Sequence, residues 1–168
     1  MTVVLVTGAA GMVGRKLAER LARDGAIGGR ELDDLLLVDV VEPACPVGRS
    51  ELADLSVPGT AARLVAGRPD VIFHLAAVVS GEAEEDFDKG YRVNLAATHE
   101  LLEAIRAQAG YTPRLVFASS IAVFGSPLPD DIGDDYACIP QTSYGTQKAI
   151  GELLLGDHTR RGAVDGIG

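Results

Sequence analysis

The chain has 168 residues, 47% of them hydrophobic and 23% charged, with a net charge of −9. That length allows one domain with its own core. No apolar run approaches the roughly 20 residues of a membrane helix, and no lysine and arginine stripe marks a nucleic-acid surface. The start carries no basic and apolar export leader, so the expectation is a cytoplasmic protein whose acidity serves solubility; any anionic ligand must then be held by local cations and backbone amides against the overall field.

Strands and helices alternate along the chain. Val3–Thr7, VVLVT, is a short β-branched run ending in glycines. Met12–Gly25 carries Val13, Leu17 and Leu21 on one helical face and stops at Gly25. Leu35–Val40 reads as a second strand, and the stretch to Gly59 as a loop broken by Pro43, Pro46 and Pro58. A short helix over 60–67, a third strand over Asp70–Ala77, a long helix over Glu84–Gly110 and a fourth strand over Arg114–Ser120 follow. Ser126–Pro140 reads as a loop and Ser143–Arg161 as the last helix. This βαβαβαβα order, with continuously apolar strands, predicts an α/β, doubly wound parallel sheet of order 3-2-1-4. The tail RRGAVDGIG reads as a loop, which leaves the fourth strand as an exposed edge. The expectation is therefore that residues 1–168 form the N-terminal part of a longer protein, its C-terminal strands and substrate lobe missing.

Gly8, Gly11 and Gly14 form GAAGMVG between the first strand and the first helix. Glycine there allows the tight turn and lets backbone approach a pyrophosphate, which the helix N-terminus then holds. Asp39, ending the second strand, is placed to accept hydrogen bonds from a ribose 2′-hydroxyl, and no arginine follows it directly. This favours NAD over NADP; a strand-end aspartate capping a turn is the bland alternative. Asp54 is open to two readings, an adenine-rim contact or a helix cap. The expected cofactor contacts are Gly8, Gly11, Met12, Val13, Gly14, Asp39, Asp54, Leu55, Leu75, Ala76, Ala77, Tyr144 and Lys148. Cys45 and Cys138 lack C-x-x-C spacing, and His74, His99 and His158 lack ligand spacing, so no metal site is expected. His74 reads as packed beneath the loop rather than facing ligand. Tyr144 and Lys148 lie four residues apart, stacked if the segment is helical; spacing alone leaves open whether they are a surface pair or a phenol beside its ammonium.

TGAAGMVG, LLLVDV, HLAA, SSIAVFG and SYGTQK, in this order, resemble the extended short-chain dehydrogenase/reductase family, which includes NAD-dependent epimerases and dehydratases with the Rossmann fold. Within it, SSIAVFGSPLPDDI, PQTSYGTQKAIGELLL and AAVVSGEAEEDFDKGYRVN look most like the D-erythronate dehydrogenase group. The resemblance implies catalytic roles for Ser120, Tyr144 and Lys148, with Asn94 as a fourth, structural or relay residue. It implies oxidation of a secondary alcohol of a small sugar acid, with Tyr144 as base and NAD as hydride acceptor, and a homodimer through the long and last helices. A nucleotide-sugar epimerase or dehydratase retaining its NAD, and a binding fragment without turnover, are the alternatives. Ser80, Gly81, Glu82, Ser120, Ala122, the loop from Ser126 and Tyr144 are what remains of a substrate side.

Overall fold

The computed structural model describes residues 2–44 and 47–168; Cys45 lies outside the described residues. In chain order the first half runs β1 (Val3–Thr7), α1 (Met12–Asp24), a hairpin of β2 (Ala26–Ile27) and β3 (Arg30–Glu31), β4 (Asp34–Asp39), β5 (Arg49–Leu52) and α2 (Thr60–Val65). The second half runs β6 (Val71–His74), α3 (Ser80–Glu85), α4 (Phe87–Gly90), a π-helical turn over Tyr91–Ala96, α5 (Ala97–Arg106), β7 (Arg114–Phe117), a 3₁₀ turn over Ile121–Val123, α6 (Ser143–Arg160) and β8 (Asp165–Ile167).

Six strands form one parallel sheet in the order β5-β4-β1-β6-β7-β8. The doubly wound pattern is as expected, but the place beside β4 belongs to β5, not to the foreseen third strand: that strand, β6, pairs with β1, and the fourth, β7, pairs with β6, so the four foreseen strands run 2-1-3-4. Three further expectations are corrected. The stretch after β4 is not all loop: β5, RSEL, pairs at the edge through an Arg49–Asp34 ion pair at 2.5 Å. Its polar residues suit an exposed edge and hide it from an apolar-run search. The tail is not a loop either. Asp165–Ile167 adds a strand beside β7, so β7 is not the edge and that much of the C-terminal sheet is present. Gly166 allows this, because a Cβ there would lie 2.6 Å from Leu155 Cδ1 of α6. The long helix is broken at Asp86, whose carboxylate accepts from the Lys89 amide at 2.9 Å and starts α4. The third and fourth predicted strands also end sooner, at His74 and Phe117.

The sheet has two unequal cores. On one face Leu5, Val38, Ile72, Leu115 and Phe117 meet Leu64 of α2, Leu101, Leu102 and Ile105 of α5, and Leu155 of α6. On the other, Val4, Val6, Leu35 and Leu37 meet Ala18 and Leu21 of α1, with Leu17, Ile27, Leu32, Val71, Phe73 and Leu75 half-buried beside them. Alternate residues of β1 thus serve different layers, as a strand covered on both faces requires. No helix among the described residues is long and apolar enough to cross a membrane.

Candidate active site

The C-terminal ends of β1, β4 and β6 open into a crevice of about 620 Å³. Gly8, at φ 73°, makes the turn out of β1, and a Cβ there would lie 2.6 Å from the Ala76 amide nitrogen. Gly14 presses α1 onto the same turn: its Cβ would lie 2.3 Å from the Gly8 carbonyl oxygen. Gly11 caps α1 without any side-chain hydrogen bond, leaving the first-turn amides of Met12 and Val13 without intrahelical partners. The side chains of Met12 and Val13 are exposed and do not line the crevice.

Asp39 joins the crevice to the glycine turn. Its Oδ2 accepts from the Ala10 amide at 2.9 Å and its Oδ1 from the Val40 amide at 2.7 Å. Asp54 lines the crevice and accepts from the Ser56 amide at 2.8 Å in a turn, not at the start of a helix. Leu55, Leu75, Ala76 and Ala77 also line the crevice. Sequence reasoning missed Ala10, Lys89, Arg92 and Val93, the last two placed there by the π-helical turn.

The second half of the site lies across β7 and α6. Ser120 starts the 3₁₀ turn, its Oγ accepting from the Ala122 amide at 3.2 Å. That turn abuts the first turn of α6, where a Cβ on Gly145 would lie 2.3 Å from the Ala122 oxygen. Thr142 caps α6 by accepting from the Gly145 amide at 3.0 Å, and Glu84 of α3 accepts from the Ser143 amide at 2.6 Å. These contacts seat Tyr144, half-buried, beside the Ser120 segment. Lys148, only 2% exposed, donates to the Ala118 carbonyl at 2.8 Å, and its Nζ lies 5.8 Å from the Tyr144 ring centre. Burial pushes its pKa down to about 8.

Asn94 is buried and clamps Val78: its Oδ1 accepts from the Val78 amide at 2.9 Å and its Nδ2 donates to the Val78 carbonyl at 3.1 Å. The same Nδ2 donates to Gln147 Oε1 at 2.7 Å, so it links the β6 loop to α6 rather than bonding to backbone alone. His74 lies beneath. Thr98 Oγ1 donates to the Asn94 carbonyl, so it accepts from His74 Nε2 at 2.9 Å. Nδ1 is then the bare nitrogen and accepts from Thr7 Oγ1 at 2.8 Å. Full burial, with the nearby Lys148 charge second, pulls the His74 pKa down to about 3. The imidazole is a neutral strut, away from the crevice lining.

A second hollow of about 760 Å³ lies at the opposite ends of the strands. Its Arg68 is bonded to the Ala109 and Gly110 carbonyls and its Arg114 to Asp165. Among the described residues no group of three or more acidic, histidine or cysteine side chains could hold a metal.

The NAD dependent epimerase/dehydratase family matches residues 4–168. The chain belongs to this family. D-erythronate dehydrogenase of Cupriavidus necator is 48% identical over 97% of the chain and 52% of its own length. A crystal structure described as a nucleoside-diphosphate-sugar epimerase from Agrobacterium tumefaciens superposes with a TM-score of 0.95 at 57% identity, covering 99% of this chain and 52% of that one. UDP-glucose 4-epimerase of Brucella ovis, in complex with NAD, superposes at 0.83 with 28% identity, covering 99% and 50%. The chain thus spans about half the length of the curated relatives it matches.

Proposed function

We propose that the chain is the NAD-binding part of a dehydrogenase that oxidises a secondary alcohol of a small, D-erythronate-like sugar acid. The crevice fits the cofactor. Gly8 and Gly14 fill space that no side chain could share, the first turn of α1 offers free amides for phosphates, and the Asp39 carboxylate waits at the ribose end. Bound NAD supplies the hydride acceptor.

The observation that carries the reading is Tyr144 and Lys148 on the first turns of α6, which abuts the 3₁₀ turn that Ser120 starts. Tyr144 takes the proton from the substrate hydroxyl. The Lys148 ammonium, one turn away, suits the hydroxyls of the nicotinamide ribose. Ser120 orients the substrate oxygen. In the reverse direction Tyr144 is the acid. The 48% identity to a D-erythronate dehydrogenase supports the substrate class. The 57% identity to a structure described as an epimerase favours the second reading, a nucleotide-sugar epimerase that keeps its NAD. An apolar groove of about 500 Å³ between Tyr91, Leu95, Ile150 and Leu154 supports a homodimer.

The test is a screen of the full-length enzyme against sugar acids and nucleotide sugars, following NADH absorbance. Sugar-acid-dependent absorbance that falls by about 10²- to 10⁴-fold in Tyr144→Phe, with NAD binding intact, is expected. Flat absorbance with conversion of a nucleotide sugar supports the epimerase instead.

A further inference from the structure

We propose that Arg92 is the anion-binding residue of the crevice, its guanidinium taking the diphosphate of a bound dinucleotide opposite the first-turn amides of α1. The inference rests on the NAD reading above and extends it to a residue outside the glycine turn.

Charge on the crevice wall leads to it. Asp39, Asp54 and Glu82 line the space, against Lys89 and Arg92. Formally the wall is acidic, in a chain of net charge −9, yet a dinucleotide brings two phosphate charges. The macrodipole of α1 offers about half a positive charge, undiminished because no acidic residue stands in its first turn. That leaves most of the phosphate charge unmatched. Lys89 cannot supply the rest, since it is paired with Glu82. Arg92 is exposed and makes no hydrogen bond or ion pair among the described residues; its neighbouring charge, Lys89, repels it. A guanidinium that lines an acidic crevice without a partner is free for a ligand anion, and its planar fork suits phosphate oxygens. The π-helical turn over Tyr91–Ala96 sets the aim. It buries Asn94 against Val78 while Arg92 and Val93 face the crevice.

Calorimetric titration of the wild-type chain, Arg92→Met and Arg92→Lys with NAD, ADP and adenosine tests this. Arg92→Met keeps the apolar stem and removes the charge. It should weaken NAD and ADP by about ten- to a hundred-fold, the size of one charged hydrogen-bonding group. Adenosine, which lacks phosphate, should bind as before, and Arg92→Lys should recover part of the loss. The dependence of ADP affinity on salt should flatten in Arg92→Met. An equal loss for adenosine would mean that the guanidinium stacks on the base, and would overturn the inference, as would unchanged ADP affinity in a wild-type chain that binds NAD. A wild-type chain that takes up neither NAD nor ADP overturns the cofactor reading itself, and the role of Arg92 with it.

Discussion

His74 bears a stability cost in acid that the rest of the site does not share. Its folded pKa is about 3 and its ordinary value 6.5, so between these the unfolded chain binds the extra proton. The stability it contributes is full above pH 6.5 and is lost as pH falls toward 3. At pH 5 the loss from this residue alone is about 2 kcal/mol. Urea denaturation from pH 7 to pH 4 should show that decline in the wild type. His74→Asn should be weaker at pH 7, because the Thr7–His74–Thr98 chain is cut, but its profile should be flatter; equal slopes would remove the imidazole as the cause. Lys148 runs in the other part of the scale: its proton is held less tightly in the fold than in the open chain, and its burial penalty eases only above pH 8. The paired Tyr144 and Lys148 were legible as a spacing. The roles of Gln147 and Arg92 were not, because each depends on the π-helical turn, which no residue type announces.

Among elements, α1 is the one whose placement depends on a missing side chain. A Cβ at Gly14 would meet backbone, the Gly8 oxygen at 2.3 Å and Ala9 Cα at 2.7 Å, and backbone cannot swing away. Gly14→Ala should therefore lose about 1–3 kcal/mol to overpacking, less the roughly 1 kcal/mol that alanine gains in a helix, and NAD affinity should fall with it. Gly156→Ala in α6 is the control. Nothing lies within 4 Å of its Cβ, so the substitution should stabilise by roughly 0.5–1 kcal/mol. Thermal denaturation of the two variants against wild type reads both signs, and a stable Gly14→Ala would mean that α1 shifts freely on the sheet. The same close approaches explain what the sequence revealed of the fold. The glycine turn and the apolar β1, β4, β6 and β7 carry strong local signals. β5 and β8 are short, polar or glycine-bearing, and exist because a neighbouring strand offers them hydrogen bonds. The break at Asp86 was legible in principle, as a capping residue inside an apolar periodic run.

For the whole molecule, the groove between the π-helical turn and α6 predicts association. Leu153 on the adjoining helix surface is 74% exposed, and Tyr91, Leu95, Ile150 and Leu154 line the groove. Light scattering should give twice the chain mass for wild type and the single-chain mass for Leu95→Arg; a wild type monomeric at every concentration would refute the pairing. The two cores bear on a different property. α2, α5 and α6 are fastened to the sheet by a broad apolar layer, while α1 is held by a narrow one. Local opening draws on the weakly held parts first, so α1, whose first-turn amides border the crevice, is expected to open before α5 and α6. A ligand spanning from α1 to the β6 side then acts as a rivet between a loose plate and a firm one, and the empty protein breathes where the filled one is shut.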